Sequence, residues 1–211
     1  MGVLGVFDEI PLADHIQVIR TNLLGTLYGS YHAIRQFKQQ RSGTLINVSS
    51  VLGEIPAPYY SSYAASKHGV IGLSGSIRQE LEELKYDDIH VCMVLPTSMD
   101  TTFFEHAGNY TGHSVEPIPP VYDPEKVIEV LARLATHPED KVAVGTAGKV
   151  FTFTHNIAPG LTEKILSRHT QRTIENADPA GDTSGSVHDP VMRGTTVEGG
   201  NGRGKTEIGQ S

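Results

Sequence analysis

Residues 44–67 read TLINVSSVLGEIPAPYYSSYAASK and hold the features that decide the fold and the candidate site. The run Thr44–Ser49 is short, apolar and rich in β-branched residues, which predicts a buried parallel strand. Ser50 follows it directly, at the carboxyl end of the strand, where open α/β sheets bind ligands. The residues after the two prolines predict a helix, on which Tyr63 and Lys67 are four positions apart and therefore share a face.

This trio of side chains has both a chemical and a structural interpretation. A phenol titrates near pH 10 and becomes a useful acid or base at neutral pH when nearby positive charge favours the phenolate, which Lys67 can provide. Taken singly, Ser50 is equally compatible with a turn residue or a helix N-cap, and Tyr63 with a half-buried aromatic whose hydroxyl finds a neighbour. A lone helical lysine is normally solvated.

The rest of the chain alternates strands and helices, which predicts an α/β fold. Asp14 is a plausible N-cap for the first long helix. The pattern predicts helices at 14–40, 61–85, 123–136 and 155–173, and strands at 44–50, 89–95 and 141–146. Residues 176–211 are polar and glycine-rich, so we expect one domain over 1–175 followed by a flexible or disordered tail over 176–211.

Four motifs occur in a characteristic order. Asn22 lies on the first long helix, a Ser-Ser-x-x-Gly segment ends the next strand, Tyr63-x-x-x-Lys67 follows, and the later strand runs into a loop at Pro96. In this order the chain resembles the classical short-chain dehydrogenase/reductase family over most of its length. The resemblance implies the C-terminal part of a Rossmann-like doubly wound parallel sheet, with about three strands and flanking helices.

The resemblance also implies an oxidoreductase that moves a hydride between NAD or NADP and a carbonyl or alcohol carbon. Tyr63 would exchange a proton with the substrate oxygen, Ser50 would hydrogen-bond that oxygen, and Lys67 would lower the pKa of Tyr63 and hold the ribose. Asn22 would hold a water that connects Lys67 to solvent. The implied catalytic residues are Asn22, Ser50, Tyr63 and Lys67, and the implied cofactor-binding residues are Tyr63, Lys67, Pro96, Thr97, Met99 and Thr101.

Two features of the sequence depart from the family pattern. In the loop after Pro96, Thr97 replaces the usual glycine and Met99 the usual aliphatic residue. The opening MGVLGVFDEI matches a segment that follows the fourth strand in the family, so we expect the glycine-rich nucleotide-binding half to have no counterpart in this sequence. One edge of the remaining sheet would then be bare. The alternative function is a truncated, non-catalytic remnant that acts through dimer contacts.

A late glycine-rich stretch, Gly199–Thr206, matches the pattern of a phosphate-binding loop. That loop needs a buried strand before it and a helix after it, and the sequence around this stretch predicts neither. We therefore expect a glycine-rich tail here.

The composition of the chain indicates which partners, which cellular location and which metal chemistry to expect. The chain has 24 acidic and 17 basic residues, with a net charge of −7. This balance predicts no nucleic-acid and no membrane partner. Cys92 is the one cysteine, so no internal disulfide forms and a reducing cytoplasm is expected. The ten histidines are scattered without paired ligand spacing, which predicts no metal site.

The expected small-molecule partner is a carbonyl or alcohol compound. Residues 102–120 occupy the position of the family's variable segment, and Phe103, Phe104 and Tyr110 there are equally compatible with substrate contact and with packing. The resemblance also implies a homo-oligomer formed through the helices that carry Asn22 and Tyr63. The substrate, the reaction direction and the choice between NAD and NADP are not encoded in any portable motif of this sequence.

Overall fold

The computed structural model describes residues 1–191, 196 and 199. The strands are β1 (Val3–Gly5), β2 (Gly43–Val48), β3 (Ile89–Pro96), β4 (Gly108–Tyr110) and β5 (Lys141–Val144). The helices are α1 (Leu12–Ile19), α2 (Gly25–Gln40), α3 (Ser61–Glu83), α4 (Phe103–His106), α5 (Glu125–Leu134), α6 (Thr146–Ile157) and α7 (Pro159–Glu175). The main sheet is parallel, in the order β2-β3-β5, which confirms the predicted α/β fold and its three strands.

The outer edge of β2 is bare in the described part of the chain, as the sequence predicted. The register runs from Gly43 opposite Ile89 to Val48 opposite Val94, so only one side of β2 is paired. Val48, the last residue of β2, is consequently 42% exposed. The bare edge runs along β2, and the carboxyl end of this strand leads into Ser50.

A second, two-stranded parallel sheet joins β1 to β4 and was not predicted. Val3 pairs with Gly108 and Gly5 with Tyr110. Three-residue strands are too short to show periodicity in a sequence, which is why the pattern gave no signal. This small sheet attaches the segment after β3 to the N-terminal residues.

The first long helix is α1 and α2 joined by a π-helical turn at Arg20–Leu24. The prediction of Asp14 as its N-cap is wrong, because the helix begins at Leu12 and Asp14 lies within the first turn. Asp14 is buried, and its carboxylate accepts hydrogen bonds from the Tyr110 hydroxyl at 2.8 Å and from Nε2 of His188 at 2.9 Å. Burial, followed by the contact with Asp14, raises the pKa of Tyr110 to about 12.

Helix α3 is fixed by polar contacts between small residues as well as by apolar packing. Asn47 of β2 donates hydrogen bonds to Oγ of Ser74 at 2.9 Å and to Oγ of Ser30 at 3.3 Å, which connects β2 to both α3 and α2. Ser74 and Val70 of α3 are fully buried. Small buried residues let the helix approach the sheet closely, so the side chains that α3 directs toward the strand ends have fixed positions.

The C-terminal helical region differs from the prediction of one helix at 155–173. The structure contains two helices, α6 and α7, connected by Ala158 alone, and we call this pair (Thr146–Glu175) the C-terminal hairpin. The strand predicted at 141–146 ends two residues earlier, and α6 begins immediately after Gly145, whose φ is 96°. A glycine at this positive φ permits the sharp turn from strand to helix.

Residues after α7 lie against the body of the molecule as far as they are described. The backbone N–H of Asn109 donates to the carbonyl of Thr183 at 2.7 Å, and Val187 is 1% exposed. The proposed division into 1–175 and 176–211 stays a prediction. The phosphate-loop-like stretch at 199–206 lies outside the described residues except for Gly199.

Within the described ranges, each helix is too short or too polar to span a bilayer.

Candidate active site

The predicted site residues surround a cavity of about 530 Å³ at the carboxyl ends of β2 and β3. Strand ends in a parallel sheet meet at one edge, which is where ligands bind in open α/β folds. The sequence-predicted residues that line the cavity are Ser50, Tyr63, Lys67, Pro96, Thr97, Met99 and Thr101. Of the eight predicted positions, only Asn22 is not part of the lining.

Ser50 follows β2 in an extended conformation and caps a short 3₁₀ turn at Val51–Gly53. Its Oγ accepts a hydrogen bond from the N–H of Leu52 at 3.1 Å and donates to the carbonyl of Pro96 at 3.4 Å. The structural interpretation of Ser50 as an N-cap is therefore correct. The same hydroxyl also faces the cavity, so the two interpretations are compatible.

The side chain of Tyr63 is half-buried and forms part of the cavity wall. Burial raises the pKa of Tyr63, and a hydrogen bond with the Ser50 side chain acts in the opposite direction. Its ring makes edge contacts with the rings of Phe103, at 5.4 Å between centroids, and Tyr60, at 6.3 Å. The pKa of Tyr63 is thus raised, because desolvation outweighs the hydrogen bond with Ser50. The predicted lowering of this pKa by Lys67 stays a prediction.

Lys67 lies one helical turn beyond Tyr63, as its spacing predicted. Its Nζ donates to the carbonyl of Val48 at 3.0 Å and lies 5.7 Å from the centroid of the Tyr63 ring. Burial lowers the pKa of Lys67 to about 8. The ammonium group thus donates to the last carbonyl of β2, which is the strand at the bare edge of the sheet.

Asn22 lies behind the cavity, in the π-helical turn between α1 and α2. Its Nδ2 donates to the carbonyl of Met1 at 2.8 Å and to Oγ of Ser66 at 3.1 Å, and its Oδ1 accepts from the Met1 amino group at 3.2 Å. These contacts satisfy a buried amide and link the first helix to α3. The predicted role of holding a water for Lys67 remains a prediction.

The loop after β3 contributes Pro96, Thr97, Met99 and Thr101 to the cavity. Thr97 fits in place of the family's glycine because its neighbours are glycines. A Cβ on Gly148 would lie 2.3 Å from Cγ2 of Thr97, and one on Gly145 would lie 2.6 Å from its Oγ1. Those distances are shorter than van der Waals contact, so a side chain at either position would collide with Thr97. The two glycines therefore leave space for the threonine.

Sequence reasoning did not find the wall of the cavity opposite α3. Phe103 and Phe104, left open between substrate contact and packing, do line the cavity. The residues that were missed come from α5 and the C-terminal hairpin: Val127, Ile128, Ala147, Phe151, Leu166 and His169. Helical periodicity identified α5 and part of the hairpin, but it cannot tell which face turns toward a cavity.

No cluster of three or more His, Cys, Asp or Glu within residues 1–191, 196 and 199 could hold a metal ion. Cys92 is buried and free.

A model of the family described as short chain dehydrogenase matches residues 1–110. This chain belongs to the short-chain dehydrogenase family. Its matched half includes the β2 strand, Ser50 and the whole of α3, which are the elements that build the chemical wall of the cavity. The family and the resemblance seen in the sequence therefore agree.

Relatives of known sequence are similar over most of this chain but are longer proteins. The uncharacterized oxidoreductase YxnA of Bacillus subtilis is 27% identical over 184 residues, covering 85% of this chain and 51% of the relative. Member 7B of the dehydrogenase/reductase SDR family from Bos taurus is 26% identical over 172 residues, covering 79% and 52%. The chain spans about half the length of the curated relatives it matches.

Solved structures support the fold. A short-chain dehydrogenase from Burkholderia cenocepacia in complex with NADP has a TM-score of 0.63 at 20% identity, covering 79% of this chain and 65% of that one. A short-chain dehydrogenase from Streptomyces avermitilis has a TM-score of 0.63 at 18% identity, covering 82% and 67%. These likenesses confirm the Rossmann-like α/β architecture.

Proposed function

We propose that this chain carries the proton-transfer site of an oxidoreductase that interconverts a carbonyl and an alcohol with NAD or NADP. The observation that supports it most directly is that Ser50, Tyr63 and Lys67 line one cavity together with the loop after Pro96. Family membership agrees with an oxidoreductase, and one structural neighbour was solved with NADP and another, a 4-hydroxyisoleucine dehydrogenase, with NADH.

The site residues fit the nicotinamide end of the cofactor. The cavity is wide enough for a ring and a small substrate, and it combines apolar walls with few polar groups, as small-molecule sites do. Lys67 would hold the ribose hydroxyls, and Pro96, Thr97, Met99 and Thr101 would surround the carboxamide. When bound, the nicotinamide would supply or accept the hydride.

Tyr63 would act as the proton donor to the substrate oxygen. Because its pKa is raised, the phenol is protonated at neutral pH and can donate. Ser50 would hydrogen-bond the same oxygen and stabilise the charge that develops on it.

We also propose a homo-oligomer through the helices that carry Asn22 and Tyr63, which are the first long helix, including α2, and α3. Tyr28 and Tyr31 of α2 are more than half exposed. A Cβ added at Gly29 of α2 or at Gly72 of α3 would meet nothing within 4 Å. Large exposed apolar side chains beside open glycines are typical of helix faces that pack closely against another chain. A cytoplasmic location stays a prediction from composition.

The first test is calorimetric titration of the 211-residue chain with NADH and with NADPH. Micromolar affinity for either is expected if the nicotinamide end provides enough contacts. Circular dichroism must show that the chain is folded. A folded chain that binds neither cofactor would contradict an active site in this chain alone and favour the non-catalytic alternative.

Turnover is tested by Tyr63→Phe in a screen of carbonyl compounds with the cofactor that binds. Loss of the proton donor is expected to lower kcat by about 10²–10⁴-fold with little change in cofactor affinity. Tyr86→Phe, which removes a hydroxyl far from the cavity, is the matched control. Equal rates for Tyr63→Phe and the unmodified chain would show that Tyr63 is not the acid.

A further inference from the structure

The C-terminal hairpin turns large apolar side chains outward. On α6 these residues recur at i, i+3 and i+7, and on α7 at i and i+4, so each helix carries a stripe. Their exposed fractions range from 50% to 69%: Val150, Phe153, Ile157, Leu161 and Ile165. Ile157 and Leu161 lie on either side of Ala158, the single residue that connects the two helices.

The inner face of the hairpin is already occupied, so the outward stripe is a separate feature. Leu166 is 7% exposed, and it lines the cavity together with Phe151. A surface helix normally turns its apolar side inward and its polar side to water. Here both helices also carry exposed apolar side chains on their outer face, and clustered exposed apolar side chains beside polar ones are typical of interaction sites.

Basic residues lie next to this apolar stripe. Arg168 and Arg172 continue the line of Leu161 and Ile165 along α7 at helical spacing, and Lys164 is their neighbour. The exposed basic residues of the hairpin are Lys149, Lys164, Arg168 and Arg172, and its acidic residues are Glu163 and Glu175. Within the described part of the chain, none of these four basic side chains forms a salt bridge.

The hairpin therefore differs in charge from the chain that carries it. The whole chain has 24 acidic and 17 basic residues, which predicted no membrane partner. Within the hairpin the balance is reversed, with four basic residues against two acidic ones. A net charge for the whole chain does not describe a surface on which the opposite sign is concentrated.

We propose that the exposed face of the C-terminal hairpin docks on the surface of an anionic lipid bilayer. Phe153, Ile157 and Leu161 would enter the boundary between head groups and acyl chains, while Arg168 and Arg172 would contact the anionic head groups. An apolar stripe flanked by Lys and Arg is the pattern of helices that lie in the membrane interface. This inference does not depend on catalysis by the cavity.

A second copy of the chain fits this face less well than a bilayer does. A two-fold dimer places the same patch on both subunits. A dimer centred on this face would place the four basic residues of each hairpin in one interface, and an excess of like charge there opposes association. An anionic surface has the complementary charge.

The sequence offers a clean probe because it contains no tryptophan. Phe153→Trp places a single fluorophore in the exposed stripe. We expect its emission to shift to the blue, and the protein to co-sediment, with vesicles of phosphatidylcholine and phosphatidylserine. Vesicles of phosphatidylcholine alone should bind much less, and added salt should weaken the binding. Leu12→Trp, at a 71% exposed position on α1, is the matched control and should not shift.

Two sets of variants test the two components of the surface. The double variant Ile157→Ser/Leu161→Ser should abolish co-sedimentation, whereas Leu12→Ser should leave it unchanged. Arg168→Gln/Arg172→Gln should weaken binding by at least about tenfold, since each basic residue near an anionic surface contributes about 1 kcal/mol. Arg20→Gln/Arg35→Gln, two exposed arginines elsewhere, is its control.

Several results would overturn the proposal. These are no binding to either vesicle, equal binding to neutral and anionic vesicles, or binding that survives Ile157→Ser/Leu161→Ser. A dimer in sedimentation analysis that these two serines dissociate, without vesicle binding by the unmodified chain, would instead assign the face to contact between copies.

Discussion

The two walls of the cavity are built in different ways. Helix α3 packs against the sheet through fully buried residues such as Val70 and Ser74 and presents Tyr63 and Lys67 at fixed positions. The C-terminal hairpin contributes Leu166 to the opposite wall but leaves five large apolar side chains exposed on its outer face. The residues of the proposed proton-transfer site thus lie on the wall that is packed more tightly against the sheet.

The two regions should differ most in how much unfolding free energy is lost when a leucine is replaced by alanine. Leu95→Ala in β3 removes a fully buried side chain from the centre of the sheet, and the free energy of unfolding should fall by about 2–5 kcal/mol. Leu166→Ala in α7 should lower it by less than about 2 kcal/mol, because the space it leaves merges with an existing cavity. Urea unfolding followed by circular dichroism measures both.

Equal costs for these two variants would contradict the comparison, because they would show that the hairpin is packed as tightly as the sheet. Equal m-values are required before the free energies are compared, since a changed m-value would indicate that the surface exposed on unfolding has changed.

A smaller effect concerns the charge on the α3 wall. Burial lowers the pKa of Lys67 from 10.5 to about 8. Between these two pH values the unfolded chain holds more protons at Lys67 than the folded chain, so this residue makes the unfolding free energy increase as pH rises. Below pH 8 both states are protonated and the burial penalty is constant.

Lys67→Met removes this dependence. From pH 8 to pH 10, we expect the unmodified chain to gain stability relative to Lys67→Met by on the order of 1 kcal/mol, reduced from the full shift because the amine is partly solvated. Lys164→Met, on the exposed face of α7, is the control and should show no such trend. Parallel pH profiles for the unmodified chain and Lys67→Met would mean that Lys67 titrates normally.

The smallest expected effect is that of Ile157→Ser on stability. The side chain is 69% exposed, so replacing it should change the unfolding free energy by no more than about 0.5 kcal/mol. Thermal unfolding monitored by circular dichroism measures this change in stability. A loss above 1.5 kcal/mol, by the usual range for surface changes, would show that the outer face of the hairpin is packed against the rest of the chain.

Local patterns predicted the chemical wall because its residues are close in sequence. Ser50, Tyr63 and Lys67 lie within 18 positions, on one strand end and one helix, so spacing alone put them on the same side of the sheet. The contacts of Asn22 were not predictable in the same way, since its partners Met1 and Ser66 are 21 and 44 residues away. Nor did spacing reveal that burial raises the pKa of Tyr63.

By itself, the sequence determined the α/β class, the three parallel strands, the family and the identity of the residues on the α3 wall. Those features depend on periodicity, on β-branched runs and on short spacings, all of which are local. Only the tertiary structure decided that Asp14 is buried beside Tyr110, that Gly145 and Gly148 make room for Thr97, and that the hairpin closes the cavity. These depend on long-range packing, in which the partner of a side chain is set by the path of the whole chain and not by its neighbours in sequence.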